Sequence, residues 1–240
     1  MTSPIRSPKP LHGMFTAVPP RYDFINHVIT LGMDTGWRRK AAKTCLQEKI
    51  TRFLDVGCGT GDLALAIAHS SGTESEIIGL DYSDTMLEKA REKAWHLKLQ
   101  NRVSFISGDA SELPFEDGYF DCVGISFAFR NLTFQNPLGK SHLKEVARVL
   151  KPGGRYVIVE SSQPENGVIR WFHHLYLKGF VGPAGQLLSG NKGAYRYLAS
   201  SAAQYFMPSE VKEMLLKAGF SSVTYKPLFF GAAGIHVARR

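Results

Sequence analysis

An α/β fold, with a mostly parallel seven-stranded sheet sandwiched by helices, follows from three observations on the sequence. Short runs rich in Val, Ile and Phe recur near 52–56, 76–81, 103–108, 120–126 and 155–160. Amphipathic stretches separate them, and right-handed crossovers then pair the strands in parallel with helices on both faces. Finally, the first strand, in Phe53-Leu-Asp-Val56, runs straight into the alternating glycines Gly57, Gly59 and Gly61. Ligands of such sheets bind outside the carboxyl ends of the strands.

The elements follow in order. Residues 1–20 contain Pro4, Pro8, Pro10, Pro19 and Pro20 without sustained periodicity and read as a flexible tail. Helices are predicted near 21–31 and 35–47. After the glycines, apolar spacing resumes at Leu63, Leu65, Ile67 and Ala68. A helix from Ser83, a plausible N-cap, carries Met86, Leu87, Ala90, Ala94 and Leu97 on one face. A later one aligns Leu143, Val146, Ala147 and Leu150 and stops at Lys151-Pro-Gly-Gly154. Residues 164–207 hold eight aromatics and one acid, Glu165, and read as an inserted aromatic cap. Ser209 is predicted to cap a helix ended by Gly219, and strands near 222–227 and 234–239 complete the sheet. The organisation expected is therefore one domain over 21–240.

A chain of 240 residues with 44% apolar and 21% charged residues can bury a sizeable core. No apolar stretch reaches membrane-spanning length, and no signal peptide is evident, so a cytoplasmic protein is expected. Cys45, Cys58 and Cys122 are too few and too scattered for a disulfide framework or zinc site, and no metal is expected. The excess of 29 basic over 21 acidic residues is compatible with plain surface, an anionic membrane or nucleic acid. The densest basic group is Arg38, Arg39, Lys40 and Lys43. Charge alone does not separate the three.

The glycine spacing G-x-G-x-G differs from the G-x-G-x-x-G of dinucleotide sites and points to a nucleoside ligand without pyrophosphate. Asp81 ends the second strand, 20 residues after Gly61, where a carboxylate can accept from ribose hydroxyls. Its alternative role is to cap the next helix, which Ser83 can do instead. Asp109 and Ala110, after the third strand, can bracket an adenine, although Asp also favours turns.

In order and spacing these places resemble the class I S-adenosylmethionine methyltransferases, with their Rossmann-like sheet. The segments Tyr22-Asp-Phe-Ile-Asn26, Gly36-Trp-Arg38, Ser126-Phe-Ala-Phe-Arg-Asn131, Arg148-Val-Leu-Lys-Pro-Gly-Gly154, Tyr195-Arg-Tyr-Leu198 and Gly234-Ile-His236 further resemble the UbiE/Coq5 quinone C-methyltransferases. Three stretches depart from that family: Ala-Ser-Ser after Leu198, Glu160-Ser-Ser-Gln-Pro164, and Ile235-His-Val-Ala238. They leave the exact acceptor open.

The resemblance implies S-adenosylmethionine as cofactor, held by Asp55, Gly57, Gly59, Thr60, Gly61, Asp81, Tyr82, Asp109, Ala110 and Ser126. It implies a substrate side with Tyr22, Asn26, Phe127 and Tyr197, and catalytic Arg130, Asn131, Asp23 and His236. An aromatic carbon becomes nucleophilic when its neighbouring hydroxyl ionises, and Arg130, always charged, can stabilise the oxyanion or hold the water that takes the proton. Asn131 can orient that water, and Asp23 or His236 can complete the proton route. Plainer roles remain: Arg130 paired with Glu160, Tyr22, Asp23 and Asn26 starting a helix, His236 as a sheet residue.

The activity implied is C-methylation of a polyprenylated quinol, demethylmenaquinol foremost. Another phenolic or lipid acceptor is the alternative. An RNA methyltransferase lacks its Asn/Asp-Pro-Pro-aromatic signature here, so no nucleic-acid partner is expected, and a cofactor-binding scaffold is the third reading. The aromatic, acid-poor cap suits a prenyl tail and peripheral contact with an anionic membrane. A homodimer stays open.

Overall fold

The computed structural model describes residues 22–181, 183–184 and 202–240. Two helices, α1 (Tyr22–Ile29) and α2 (Met33–Cys45), precede the sheet, then β1 (Arg52–Val56), α3 (Asp62–Ser70), β2 (Glu76–Asp81), α4 (Asp84–His96) and β3 (Ser104–Ser107) alternate. Next come β4 (Phe120–Ser126), the short α5 (Phe129–Thr133), α6 (Gly139–Val149), β5 (Leu150–Ser161) and α7 (Gly167–Tyr176). The chain closes with α8 (Pro208–Lys217), β6 (Ser222–Leu228) and β7 (Ala233–Arg239).

The seven strands lie in the order β3-β2-β1-β4-β5-β7-β6. All pairs from β3 to β5 are parallel, whereas β7 runs antiparallel to both β5 and β6. Strand order reverses between β1 and β4, which opens a crevice at their carboxyl ends. One face of the sheet, with Phe53, Ile77, Cys122 and Val157, is covered by Ala41, Leu63, Ile67, Leu87 and Ala90 of α2, α3 and α4. The other face, with Leu54, Val123, Ile125 and Ile158, is covered by Leu143 and Val146 of α6 and by Val211 and Leu215 of α8. Central strands buried on both sides explain why their sequences read as continuous apolar runs.

Several local expectations need correction. Ser83 stands at the N-cap of α4, but its hydroxyl makes no capping bond and is buried without a partner. Ser209 lies inside α8, whose N-cap is Met207 with Pro208 at its first turn, and the Glu210 carboxylate accepts the Met207 N–H. Proline at that position is preset for the helix and has no donor to satisfy. Leu97, expected inward, ends α4 and is exposed. Leu150, expected to close the α6 face, already begins β5, which passes Pro152-Gly-Gly154 as a register shift against β4.

The predicted cap divides. Tyr205 is buried in the main core and packs with Phe134 and Phe206, whereas α7 buries none of its residues. Helix α1 packs Ile25 and Ile29 against Leu177 and Val181, just beyond α7, and the Tyr176 hydroxyl donates to the Ile29 carbonyl at 2.9 Å. The tail and Tyr197 lie outside the described residues.

Buried Arg155 fastens α2 to the sheet, its guanidinium donating to the Thr44 and Cys45 carbonyls at 2.9 and 2.8 Å. A cation at a helix C-terminus also meets the negative end of the dipole. Arg155→Met is expected to lower unfolding free energy by about 2–3 kcal/mol, measured by urea denaturation. A loss below about 0.5 kcal/mol would mean that α2 is held by apolar packing alone.

Candidate active site

The crevice is built around the turn from β1 into α3. Gly57, Gly59 and Gly61 have φ of 63°, 54° and 82°, the left-handed region that a Cβ disfavours. A Cβ on Gly57 would come within 3.0 Å of the Ala128 methyl, while at Gly59 it would point into space with nothing within 4 Å. Gly57 therefore permits the turn to pack on the end of β4, and Gly59 exposes backbone to an open cradle.

Two carboxylates tie this turn down. Asp81, at the end of β2, accepts the Gly59 N–H at 2.8 Å and the Ser83 N–H at 2.9 Å. It thereby braces the glycine turn and holds the residue before α4 by that residue's own N–H, without taking a free N–H of the helix. Asp55 accepts the Ala64 N–H at 3.0 Å with one oxygen, and its other oxygen is buried without a partner. Burial pushes the Asp55 carboxyl up to about 8, outweighing the Ala64 bond, with the Asp81 and Asp62 charges adding to the rise.

Helix α1 brings Asp23 onto the loop. The Thr60 hydroxyl donates to Asp23 at 2.9 Å, and the Lys93 ammonium reaches Asp23 at 2.8 Å, Thr60 Oγ1 at 2.8 Å and Asp62 at 2.6 Å. Arg38 of α2 contacts Asp34 at 2.5 Å and Asp62 at 3.7 Å, and lies over the Phe127 ring, 5.2 Å from its centre. Lys93, Asp62, Asp34 and Trp37 were not singled out as site residues from sequence. Only the fold brings the far face of α4 to a loop 33 residues earlier.

The fourth strand ends in the segment Ser126–Asn131. Phe127 has φ of 56°, strained for a bulky side chain, and its ring packs 6.0 Å from Trp37. Its neighbour Ser126 has a buried hydroxyl without a partner. Arg130 is buried: its N–H donates to Glu160 at 3.0 Å, and its guanidinium donates to the Ser161 hydroxyl, also at 3.0 Å, which donates in turn to Glu160 at 2.8 Å. The weighed Arg130–Glu160 link thus runs through Ser161. Arg130 Nε and Asn131 Oδ1 are both buried without partners.

Beyond the third strand, Asp109 Oδ1 accepts the Ser111 N–H at 2.9 Å and hydroxyl at 2.8 Å, and Ala110 is buried beside it. Tyr82 is 37% exposed. Tyr22 begins α1, and Asn26 lies one turn beyond Asp23 on its face. Among the described residues nothing joins Arg130 or Asn131 to Asp23, which is bound to Lys93 and Thr60. His236 is buried in β7, its ring packed 4.6 Å from that of Tyr225 and its Nε2 donating to the Pro208 carbonyl at 3.4 Å. Burial holds its titration down to about 4.

Solved structures place the fold. A SAM-dependent methyltransferase from Aquifex aeolicus superposes with a TM-score of 0.59 over 84% of this chain and 88% of its own, at 19% identity. The carbon methyltransferase CurJ gives 0.61 over 88% of this chain and 55% of its own, at 18% identity. These likenesses show the fold: a mostly parallel sheet with an antiparallel strand inserted near one edge and a glycine turn at the switch point. The chain belongs to the ubiE/COQ5 methyltransferase family, whose model matches residues 5–240. Demethylmenaquinone methyltransferases from Thermus thermophilus and Lactobacillus johnsonii are 42% and 41% identical, each over 95% of this chain and over 100% and 92% of their own.

The raised Asp55 carboxyl has a consequence for stability. Folding holds its proton more tightly than the unfolded chain does, so the contribution is full below about pH 4 and is lost as pH rises through about 8. Without ligand, Asp55→Asn should remove a slope of about 1 kcal/mol per pH unit between pH 5.5 and 8, read by urea denaturation of both proteins. Equal slopes would show that Asp55 titrates normally.

Proposed function

We propose that the protein transfers the methyl group of S-adenosylmethionine to a ring carbon of a prenylated quinol, demethylmenaquinol foremost. The names of the relatives at 42% and 41% identity support this acceptor. The residues present fit the cofactor. The open cradle above Gly59 and the unpartnered Asp55 and Ser126 oxygens suit a ligand rich in hydrogen-bond donors. In this reading the Gly57–Gly61 turn with Thr60 takes the methionine end, Asp81 with Tyr82 the ribose, and Asp109 with Ala110 the adenine. S-adenosylmethionine, when bound, supplies an electrophilic methyl, so the chain's task is to align and ionise the acceptor.

One observation carries the acceptor chemistry: a buried guanidinium, held by Ser161 and Glu160, keeps an unpartnered Nε in the same short helix as the unpartnered Asn131 Oδ1. Arg130 supplies fixed positive charge for a phenolate oxygen, and Asn131 supplies an acceptor that orients a hydroxyl or a water. Since neither Asp23 nor His236 meets them, we assign the proton to a water held at Arg130 and Asn131. Tyr22, Asn26, Phe127 and Tyr197 border the ring in this reading.

Peripheral contact with an anionic membrane belongs to the same proposal. Val168, Trp171, Phe172 and Leu175 of α7 are exposed, with Arg170 and Lys178 beside them. Phe229 and Phe230, in the turn between β6 and β7, are 52% and 74% exposed. No described helix is long and apolar enough to cross a membrane. Aromatic and basic side chains of this kind suit the interface between headgroups and acyl chains.

Incubation with labelled S-adenosylmethionine and reduced lipid extract should yield a labelled menaquinone, identified by mass. A labelled non-quinone product would redirect the acceptor assignment. Arg130→Lys should lower kcat by about 100-fold with little change in cofactor affinity, because an ammonium cannot reproduce the fork. In liposome flotation at low salt, Trp171→Ser with Phe230→Ser should abolish binding to anionic vesicles that the parent protein shows. Equal flotation of both proteins would remove this face from the proposal.

A further inference from the structure

Three candidates stand outside the chemistry assigned above: the buried pair Cys45 and Cys122, the shallow cleft at the amino ends of β2 and β3, and the ion-pair network between α1, α2, α4 and the glycine turn. The first two carry no ligand chemistry. The third is built from half-buried charges with short, directed bonds.

Lys93 is its hub. Its three donors are all committed: to Asp23 on α1, to Thr60 in the glycine turn, and to Asp62 at the first position of α3. Thr60 both accepts from Lys93 and donates to Asp23, so the three side chains form a closed ring. Asp62 passes the connection to Arg38, which continues to Asp34, and Asp34 accepts from Thr30 at 3.1 Å and pairs with His27 at 2.9 Å. Every link ends on one of the two N-terminal helices or on the turn. The other holds on α1 are the His27–Asp34 pair, the packing of Ile25 and Ile29 beyond α7, and the Tyr176 bond to the Ile29 carbonyl.

We propose that Lys93 is a positioning residue, a latch that holds α1 over the glycine turn and thereby sets Thr60 and keeps the methyl donor in place. The inference rests on the cofactor reading given above. Lys93 touches neither reacting atom; it acts through Asp23 and Thr60. Its Asp partners outweigh the burial that opposes its charge, so the ammonium stays ionised and the latch stays closed through neutral pH. The three carboxylates Asp23, Asp62 and Asp34 exceed the two cations Lys93 and Arg38 by one charge, leaving the collar slightly negative toward a cationic donor. Exchange of spent for fresh cofactor then requires the ring to open. Ionic strength should speed that opening, because these side chains are 30–41% exposed.

The test uses the full chain. Lys93→Met, which keeps the stem and removes the charge, should weaken S-adenosylmethionine binding by about tenfold in calorimetry. It should also raise KM for the donor with a smaller change in kcat, and speed deuterium exchange of the α1 amides without ligand. Lys93→Arg should recover most of the affinity. Unchanged affinity in Lys93→Met, or α1 exchange equal to the parent's, overturns the latch. If Lys93→Met does not fold, the parent protein decides. Release of bound S-adenosylhomocysteine, followed by stopped flow, should accelerate several-fold from low to high salt. A flat response overturns the proposal. Failure of the parent to bind either molecule would overturn the cofactor reading itself, whereas α1 exchange without ligand judges the latch separately.

Discussion

The bond from the Gly59 N–H to the Asp81 carboxylate is the constraint on which the site depends. It joins the turn after β1 to the end of β2, and with the Ser83 N–H on its other oxygen it also fixes where α4 begins. From that point the remaining placements follow in sequence. The turn is held open at Gly59 and pressed against Ala128 at Gly57, α3 starts at Asp62, and Lys93 on α4 arrives beside Thr60. One carboxylate thus ties the turn after β1 and the start of α4 to the end of β2, a structural job that needs no ligand.

Two electrostatic environments lie side by side. Around Asp55 the surroundings are dry and one oxygen has no partner, so its charge is suppressed. Around Lys93 the charges alternate and are partly wet, so they are preserved. A ligand that brings positive charge into the cradle finds a carboxyl ready to ionise on one side and a set of fixed partners on the other. At the end of β4 the setting is different again: the Arg130 side chain is buried, and its guanidinium is oriented by the Ser161 hydroxyl, which Glu160 holds in turn. Orientation of that kind favours charge that develops during reaction over charge already present.

The sequence was most legible where backbone geometry and apolar patterning act alone. The five parallel strands, the antiparallel pair and the glycine turn could be read because β-branched runs and glycine spacing are local signals. Helix ends were less legible: Ser83 stands at an N-cap without using its hydroxyl there, and Ser209 lies inside α8, where Pro208 and the Glu210 bond to the Met207 N–H set the start. The Asp23–Lys93 ring was invisible because its members lie on three segments whose approach is a product of the sheet order. His236 is a different case. Its motif pointed to chemistry, but its strand places the ring beneath Tyr225 and Pro208.

The insertion of β7 between β5 and β6 also bears on how the molecule is made. Five parallel strands can assemble in rank through local crossovers, but until the β6–β7 hairpin docks, β5 presents an open edge of unpaired N–H and C=O groups along Arg155–Ser161. That edge carries Tyr156, Val157, Ile158 and Val159, a run of high β-propensity without charge. Were the hairpin slow to dock, pairing of that edge with another chain would compete. The outcome depends less on the catalytic crevice than on how quickly one antiparallel seam closes.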